Sequence, residues 1–200
     1  MRAALRHPAA WWALLGVGCL PLVGLLTQTL QDQLGPNPAE ALIRSTGDWT
    51  LRSLCVVLAV TPLRTWLGWP ELLRFRRMLG LLVFAYASLH LLCYAWFDMG
   101  FDGADTLRDL IKRPFIWLGF SAFVILLALA ATSFNRAVRW LGGRRWQMLH
   151  RGVYAVAVLA VLHFWWMRAG KQDFAEVLVY AGVLAALLGW RMLRRSARRS

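Results

Sequence analysis

The stretch Arg76–Phe97 reads RRMLGLLVFAYASLHLLCYAWF: two arginines followed by twenty residues without Asp, Glu, Lys or Arg. A helix of twenty residues rises about 30 Å, the thickness of the hydrocarbon core of a bilayer. Basic residues collect on the cytoplasmic side of membrane proteins. The stretch therefore predicts a membrane-spanning helix that begins at the cytoplasmic face and carries one ionisable side chain, His90.

Apolar runs of similar length lie on both sides of this stretch, and breakers such as Gly35–Pro38 separate them. The fold predicted is all-α: a polytopic membrane bundle of six transmembrane helices, forming one domain over residues 1–200. The first run has the charge order of a signal peptide, but five more runs follow it, so we interpret it as an uncleaved span. The predicted spans are 9–28, 48–67, 78–97, 114–133, 147–167 and 174–193.

The composition excludes a disordered chain, a soluble enzyme and a secreted disulfide scaffold. Of the 200 residues 59% are hydrophobic and 16% charged, against about 45–50% and 25% in soluble globular proteins. The net charge is +13, but the arginines stand between the apolar runs, so we assign them to membrane loops and not to nucleic-acid binding. Cys19, Cys55 and Cys93 lie inside apolar runs and are expected to be small buried hydrophobic residues.

The distribution of basic residues predicts the orientation. With the amino terminus in the cytoplasm, 16 of the 23 basic residues fall on the cytoplasmic side, where Glu71 is the single acid. The other 7 accompany 9 acidic residues on the opposite side. This asymmetry places both termini in the cytoplasm. The longest outer loop runs only from Asp98 to Arg113, so chemistry is expected inside the bundle or at its faces.

Three of the four histidines fall inside predicted spans, where an ionisable side chain usually marks a site. From the cytoplasmic start of its span, His90 is about 18 Å deep and His163 about 24 Å deep, so both reach the outer half of the membrane. No acidic residue near mid-membrane offers a proton relay, and an apolar cofactor fits better. We predict His90 and His163 as the axial ligands of one b-type haem. The chain has no C-x-x-C-H motif for covalent attachment.

His150 lies nearer the cytoplasm, about 19.5 Å along the helix axis from His163. That separation suits a second haem, and we predict His150 as one of its iron ligands. At the matching depth of the third span the sequence has Arg76 and Arg77. The second haem would therefore be singly ligated or take a non-histidine ligand, and these arginines can instead pair with haem propionates or with a flavin or quinone head group.

The combined motifs resemble the ferric-reductase-like transmembrane superfamily, and within it the MsrQ (YedZ) family. The resemblance covers the chain from Gly47 to His163. Any one of its pieces is common, whereas the combination is specific. The pieces are Pro62-Leu63-Arg64, Arg76 to Leu81 with Phe84, Tyr86, Leu89 and His90, Arg113-Pro114, the Gly119 span ending at Ala131-Thr132-Ser133, Trp146-x-x-Leu149-His150-Arg151-x-x-Tyr154, and His163.

The resemblance implies a haem-containing electron conduit in the bacterial inner membrane. Members of the family pass electrons from the quinone pool or a cytoplasmic flavin reductase to a periplasmic molybdopterin subunit, MsrP-like, which reduces methionine sulfoxide in oxidised proteins. FMN is also attributed to the family, and here that cofactor rests on the resemblance alone. We accordingly expect a non-catalytic subunit with no FAD or NADPH domain, dependent on an external electron donor.

Two other functions stay open at this point. One is a quinol-linked or ferric-reductase-like cytochrome with a different acceptor, which a neighbouring gene for a molybdopterin partner would argue against. The other is a small transporter whose histidines bind a metal or a proton. A transporter would lack the haem Soret band, and the shortage of intramembrane carboxylates already counts against it.

Overall fold

The computed structural model describes residues 2–170 and 172–197, and every regular element in these ranges is helical. The predicted all-α fold is confirmed there, while Met1, Lys171 and Ser200 lie outside the described residues. A 3₁₀ helix, Pro70–Phe75, precedes α4, and a π-helical turn, Tyr94–Asp98, follows it. The α-helices are α1 Arg2–Arg6, α2 Pro8–Leu30, α3 Pro38–Leu67, α4 Arg76–Cys93, α5 Gly103–Lys112, α6 Phe115–Ala131, α7 Asn135–Leu141, α8 Gly143–His150, α9 Val153–Ala169 and α10 Ala175–Ser196.

The chain divides into two compact units, one up to Thr106 and one from Leu107 onward. In the first unit α3 packs along α4, and α2 contacts both. In the second unit α6 packs along α9, and α10 contacts α9. Each unit is built around one helix pair that carries a predicted ligand: His90 on α4 and His163 on α9. The single functional domain over residues 1–200 stays a prediction.

Local sequence sets both ends of α3. The side chain of Asn37 accepts a hydrogen bond from the backbone N–H of Glu40 at 3.2 Å, and Pro38 occupies the first turn, where its missing N–H leaves no bond unmade. At the other end Gly68 adopts a left-handed conformation with φ 64°, which favours glycine. α3 therefore begins ahead of the predicted span 48–67, because capping and not hydropathy decides its start.

Residues of α3 and α4 form the core of the first unit, with Leu54, Leu58, Val83 and Tyr86 almost fully buried. The hydroxyl of Tyr86 also donates a 2.7 Å hydrogen bond to the carbonyl oxygen of Gly18 on α2. This bond matters because α2 buries none of its described residues. A polar contact thus helps attach α2 to the α3–α4 pair.

In the second unit the core is formed by α6 and α9, which bury Leu126, Leu129, Val156 and Ala157. The predicted fifth span, 147–167, is interrupted: α8 ends at His150 and α9 begins at Val153. The indole N–H of Trp146 donates a 2.8 Å hydrogen bond to the carbonyl oxygen of Thr132, at the end of α6. α8 is therefore tied to the α6 terminus and not only to the helix that follows it.

The structure supports fewer spans than the six predicted. Four helical stretches among the described residues, counted across short breaks such as that between α8 and α9, are long and apolar enough to cross a membrane: Pro8–Leu30, Pro70–Asp98, Gly143–Ala169 and Ala175–Arg194. A fifth results if α5 and α6, which meet at a bend of 115°, are taken as one span. α3 has sufficient length, but Arg44, Asp48, Arg52 and Arg64 interrupt its apolar sequence.

The predicted outer loop Asp98–Arg113 contains the helix α5, which the hydropathy pattern did not reveal. Polar residues such as Asp105 and Asp109 share this helix with Leu107 and Ile111, whose side chains are exposed. Asp109 also pairs with Arg113 at the start of the connection to α6. The segment is thus an amphipathic helix, which is why an average over a window of residues reads it as a polar loop.

Candidate functional site

His90 lies on α4, with its Nδ1 atom 2.9 Å from the carbonyl oxygen of Ile43 on α3. A carbonyl oxygen only accepts hydrogen bonds, so Nδ1 carries the proton and donates it. In the neutral ring the lone pair is then on Nε2. Histidines that bind a metal usually donate their other ring N–H to a carboxylate, a backbone carbonyl or water. His90 is therefore held in a tautomer suited to metal ligation through Nε2.

The ring of His90 rests on Gly47, one turn along α3 from Ile43. A Cβ atom on Gly47 would lie 3.1 Å from Cε1 and 3.2 Å from Nδ1 of His90. These separations are shorter than ordinary van der Waals contact between carbon atoms, about 3.5–4.0 Å. The imidazole thus occupies space that any other residue at this position would fill.

His163 on α9 is held in the same way by α6. Its Nδ1 lies 2.8 Å from the carbonyl oxygen of Phe115, so Nδ1 again donates and Nε2 keeps the lone pair. A Cβ atom on Gly119 would lie 2.9 Å from both Cε1 and Nδ1 of His163. We call each combination of a helix carbonyl and the glycine four residues later a ring seat: Ile43 with Gly47, and Phe115 with Gly119.

Both ring seats lie towards the starts of their helices. Ile43 is in the second turn of α3, and Phe115 is the first residue of α6. In the predicted orientation both helices begin on the non-cytoplasmic side. In that orientation each unit, taken by itself, would present its histidine in the outer half of the membrane, the half in which the sequence predicted both side chains.

His150 is held differently, at the end of α8. Its Nε2 atom lies 3.1 Å from the hydroxyl oxygen of Thr132, and its ring stacks on Trp146 at a centroid distance of 3.9 Å. The Thr132 hydroxyl also donates to the carbonyl oxygen of Ala128 at 2.8 Å. Because a hydroxyl has one proton, donation to Ala128 requires His150 Nε2 to carry a proton of its own. Nε2 thus carries the proton at His150, whereas at His90 and His163 the proton is on Nδ1.

Protein ligands do not form a metal cluster in the part of the chain that the structure describes: no group of three or more His, Cys, Asp or Glu side chains there is arranged to hold an ion. Cys19, Cys55 and Cys93 are free thiols, each partly buried in a helix. Among the described histidines, those of the two ring seats have the tautomer that ligation of a metal through Nε2 requires.

The chain resembles known proteins over most of its length. A family model described as "Ferric reductase like transmembrane component" matches residues 46–161. A relative from Polaromonas naphthalenivorans (strain CJ2), named "Protein-methionine-sulfoxide reductase heme-binding subunit MsrQ", is 61% identical over 94% of this chain and 86% of its own. The protein of the same name from Herminiimonas arsenicoxydans is 54% identical over 84% of this chain and 78% of its own.

The chain belongs to the MsrQ family of ferric-reductase-like membrane proteins. The resemblance read from the motifs is thereby confirmed. A more distant MsrQ from Xanthomonas campestris pv. campestris (strain B100) is still 47% identical over 84% of this chain and 77% of its own. No solved structure is significantly similar to the chain.

Sequence reasoning on this MsrQ family chain found the three histidines but missed both ring seats. His90 and His163 stand out because ionisable residues are rare in membrane helices. Gly47 and Gly119 do not, since glycine is frequent in membrane helices for packing reasons. The available signal was a pairing: each glycine lies in a long helix that comes earlier in the chain than the helix carrying its histidine. Which glycine meets which ring depends on helix rotation, and only the structure supplies that.

Proposed function

We propose that this chain is the haem-binding electron-transfer subunit of a periplasmic methionine sulfoxide reductase, in the inner membrane of a bacterium. The observation that carries the proposal is the pair of ring seats, which hold His90 and His163 as Nδ1–H donors with the lone pair on Nε2. The relatives named as haem-binding MsrQ subunits support it. In this role the chain has no catalytic residue of its own.

The residues that would hold a b-type haem are His90 and His163, through Nε2. The group, when bound, supplies a one-electron carrier that cycles between ferric and ferrous iron. The carbonyl oxygens of Ile43 and Phe115 keep the proton at Nδ1 and fix the ring planes. A hydrogen bond of this kind also makes the imidazole a stronger electron donor. Ligation by two histidines leaves no open position on iron, which favours electron transfer over reaction with oxygen or substrate.

His150 is the candidate ligand of a second haem. Ligation through Nε2 would require the proton on this atom to move to Nδ1 and the hydrogen bond to the Thr132 hydroxyl to break, a neutral hydrogen bond worth about 1 kcal/mol net. Metal coordination exceeds that cost, so the contact does not argue against a second haem. Trp146, stacked on the ring, would keep its plane fixed during the exchange.

We propose six spans with both termini in the cytoplasm: α2, α3, α4, α6, α9 and α10. α3 is counted because its charged residues lie in its first half, up to Arg52, and at Arg64 near its end. No charged residue lies between Arg52 and Arg64, and the guanidinium of Arg52 lies over the Trp49 ring at 4.7 Å. Such a contact with an aromatic face stabilises a basic side chain that is removed from water.

The partners follow from the two faces in this topology. The acceptor would be an MsrP-like periplasmic molybdopterin subunit, and the acidic residues of the outer loop, such as Asp102 and Asp105, would meet a basic patch on it. The donor would be the quinone pool or a cytoplasmic flavin reductase. FMN is carried over from the family alone. Besides these partners the chain contacts membrane lipid, and we propose no nucleic-acid partner.

The test is the reduced-minus-oxidised absorption spectrum of the chain purified in detergent with haem supplied, together with haem counted per chain. We expect a b-type spectrum, with His90→Ala and His163→Ala both losing the haem that these two histidines share, whereas His150→Ala removes at most a second haem. His7→Asn is the matched control, because His7 accepts the N–H of Ala9 as the cap of α2 and asparagine can do the same.

Two results would contradict the proposal: a well-folded preparation without any haem band, or wild-type haem content in the His90→Ala and His163→Ala variants. The absence of a haem band would favour the alternative of a small transporter whose histidines bind a metal or a proton. If haem is present, the acceptor is tested by adding the MsrP-like subunit and methionine sulfoxide to the reduced chain. Reoxidation that requires both additions supports the repair role. Reoxidation by ferric chelates alone would favour the alternative function, a quinol-linked or ferric-reductase-like cytochrome with a different acceptor.

A further inference from the structure

Both ring seats use residues four apart: Ile43 and Gly47 on α3, Phe115 and Gly119 on α6. Helix geometry explains the interval. In an α-helix the carbonyl of residue i accepts the N–H of residue i+4, and the Cα–Cβ bond of residue i+4 points back towards that carbonyl. A ring that bonds such a carbonyl from the side therefore comes up against the Cβ position of residue i+4. Glycine removes that obstacle.

The two seats are independent occurrences of one arrangement. They lie on different helices, in different units, and serve different histidines. In each, the atoms nearest to the missing Cβ are imidazole atoms. A glycine retained for close helix–helix packing would instead face the backbone of its neighbour. Glycine inside a helix also destabilises it by about 0.5–1 kcal/mol relative to alanine.

We propose that Gly47 and Gly119 are positioning residues that set the orientation of the axial rings of His90 and His163. The proposal rests on the proposed function for the identity of the bound group, but the contact between glycine and ring exists in the chain itself. A methyl group at either position displaces Nδ1 from its carbonyl partner. The ring then turns, the Nδ1 hydrogen bond lengthens, and the imidazole becomes a weaker electron donor to iron.

The first experiment uses the full-length chain loaded with haem, as Gly47→Ala and Gly119→Ala variants. We expect about 10-fold weaker haem binding in each, the lower end of the range for loss of an outer-shell partner of a metal ligand. We also expect a more positive midpoint potential and altered low-spin EPR g values, which report the orientation of the axial rings. A general loss of packing would lower occupancy without moving the potential or g values of the haem that remains.

Controls come from glycines whose Cβ positions meet nothing within 4 Å. Gly80 on α4 controls for Gly47, and Gly182 on α10 controls for Gly119. Alanine at Gly80 or Gly182 should leave haem affinity, potential and EPR spectrum unchanged. Wild-type g values and affinity in both Gly47→Ala and Gly119→Ala would overturn the proposal, even if the histidine variants lose haem as expected.

A second experiment tests the contact without haem. In the apo chain, Gly47→Ala should lower the unfolding midpoint when His90 is present. In a His90→Ala background it should raise the midpoint, because the ring is gone and alanine favours the helix. The same cycle applies to Gly119 with His163. Additive effects would overturn the proposal. Because no haem is needed, failure here is separate from failure of the proposed function.

Discussion

Tyr86 illustrates how much one hydroxyl group matters in the first unit. Its side chain is 1% exposed, its ring stacks on Trp49 at 6.3 Å, and its hydroxyl donates to the carbonyl oxygen of Gly18. Tyr86→Phe keeps the ring and removes only the bond to α2. We expect a loss of about 1 kcal/mol in the free energy of unfolding, measured as a lower thermal midpoint in detergent. Ser88→Ala is a suitable control, because the Ser88 hydroxyl donates within its own helix, to the carbonyl oxygen of Phe84.

An unchanged midpoint in Tyr86→Phe would show that lipid and apolar contacts alone hold α2 in place. A fall as large as that of Tyr86→Ala would show that the substitution disturbs the ring as well. Either result would contradict the assignment of a single stabilising hydrogen bond to this hydroxyl.

Thr132 and His150 give a second prediction at this scale. Thr132→Val keeps the shape of the side chain and removes the hydroxyl that engages Nε2. If His150 binds a second haem through Nε2, the valine variant should bind that haem as tightly as the wild type or more tightly, because no hydrogen bond has to be broken. The measurement is haem per chain during titration of the apo protein. Loss of one haem in Thr132→Val would show that the hydroxyl supports the ligand instead of competing for it.

The site could be predicted from sequence only as far as its ionisable groups. His90, His150 and His163 are visible because such residues are rare at membrane depth. The donor tautomer of His90 is not visible, because it depends on a carbonyl oxygen of Ile43, which every residue possesses. The ring proton is on Nε2 in His150 and on Nδ1 in His90 and His163, and this difference likewise depends on the direction in which each side chain points. Hydropathy and spacing carry no information on either point.

At the scale of elements, Gly68 is where conformation and not packing requires glycine. It ends α3 with a left-handed backbone, and a Cβ there would meet only the Arg2 side chain, at 3.6 Å. Gly68→Ala should therefore destabilise the chain by about 1 kcal/mol through backbone strain alone. Gly80→Ala, in the middle of α4, should stabilise it by up to about 1 kcal/mol. Thermal midpoints that move in the same direction would contradict this account.

The elements themselves were predictable where apolar length decides them. α2, α4 and α10 lie within a few residues of the predicted spans. α3 was predicted to begin too late, because its capped first turns carry Arg44 and Asp48 and read as a loop. The break between α8 and α9 follows from hydrogen bonds of α8 to the end of α6, such as that of Trp146, and no local sequence signal shows these partners.

At the scale of the whole molecule, the two units share one design although the sequence contains no detectable repeat. Each has a helix that begins at the proposed outer side and presents a carbonyl and a glycine to a histidine on a neighbouring helix. The positive-inside count treats the chain as one string of loops and cannot reveal this correspondence. It does assign a side to every loop, and that assignment depends on whether α3 crosses the membrane.

The six-span topology can be tested through two loops. If α3 crosses, the segment before α6 is periplasmic and the segment between α7 and α8 is cytoplasmic. If α3 does not cross, both segments change sides. We therefore expect Ala104→Cys to react with a membrane-impermeant maleimide in spheroplasts of intact inner membrane, and Arg144→Cys to react only after permeabilisation.

The labelling requires a background in which Cys19, Cys55 and Cys93 are replaced by alanine, since these are the free thiols of the chain. Gln33→Cys is the internal standard: it lies between α2 and α3 and faces the periplasm whether or not α3 crosses. The reverse pattern, with Arg144→Cys accessible and Ala104→Cys protected, would remove α3 from the spans.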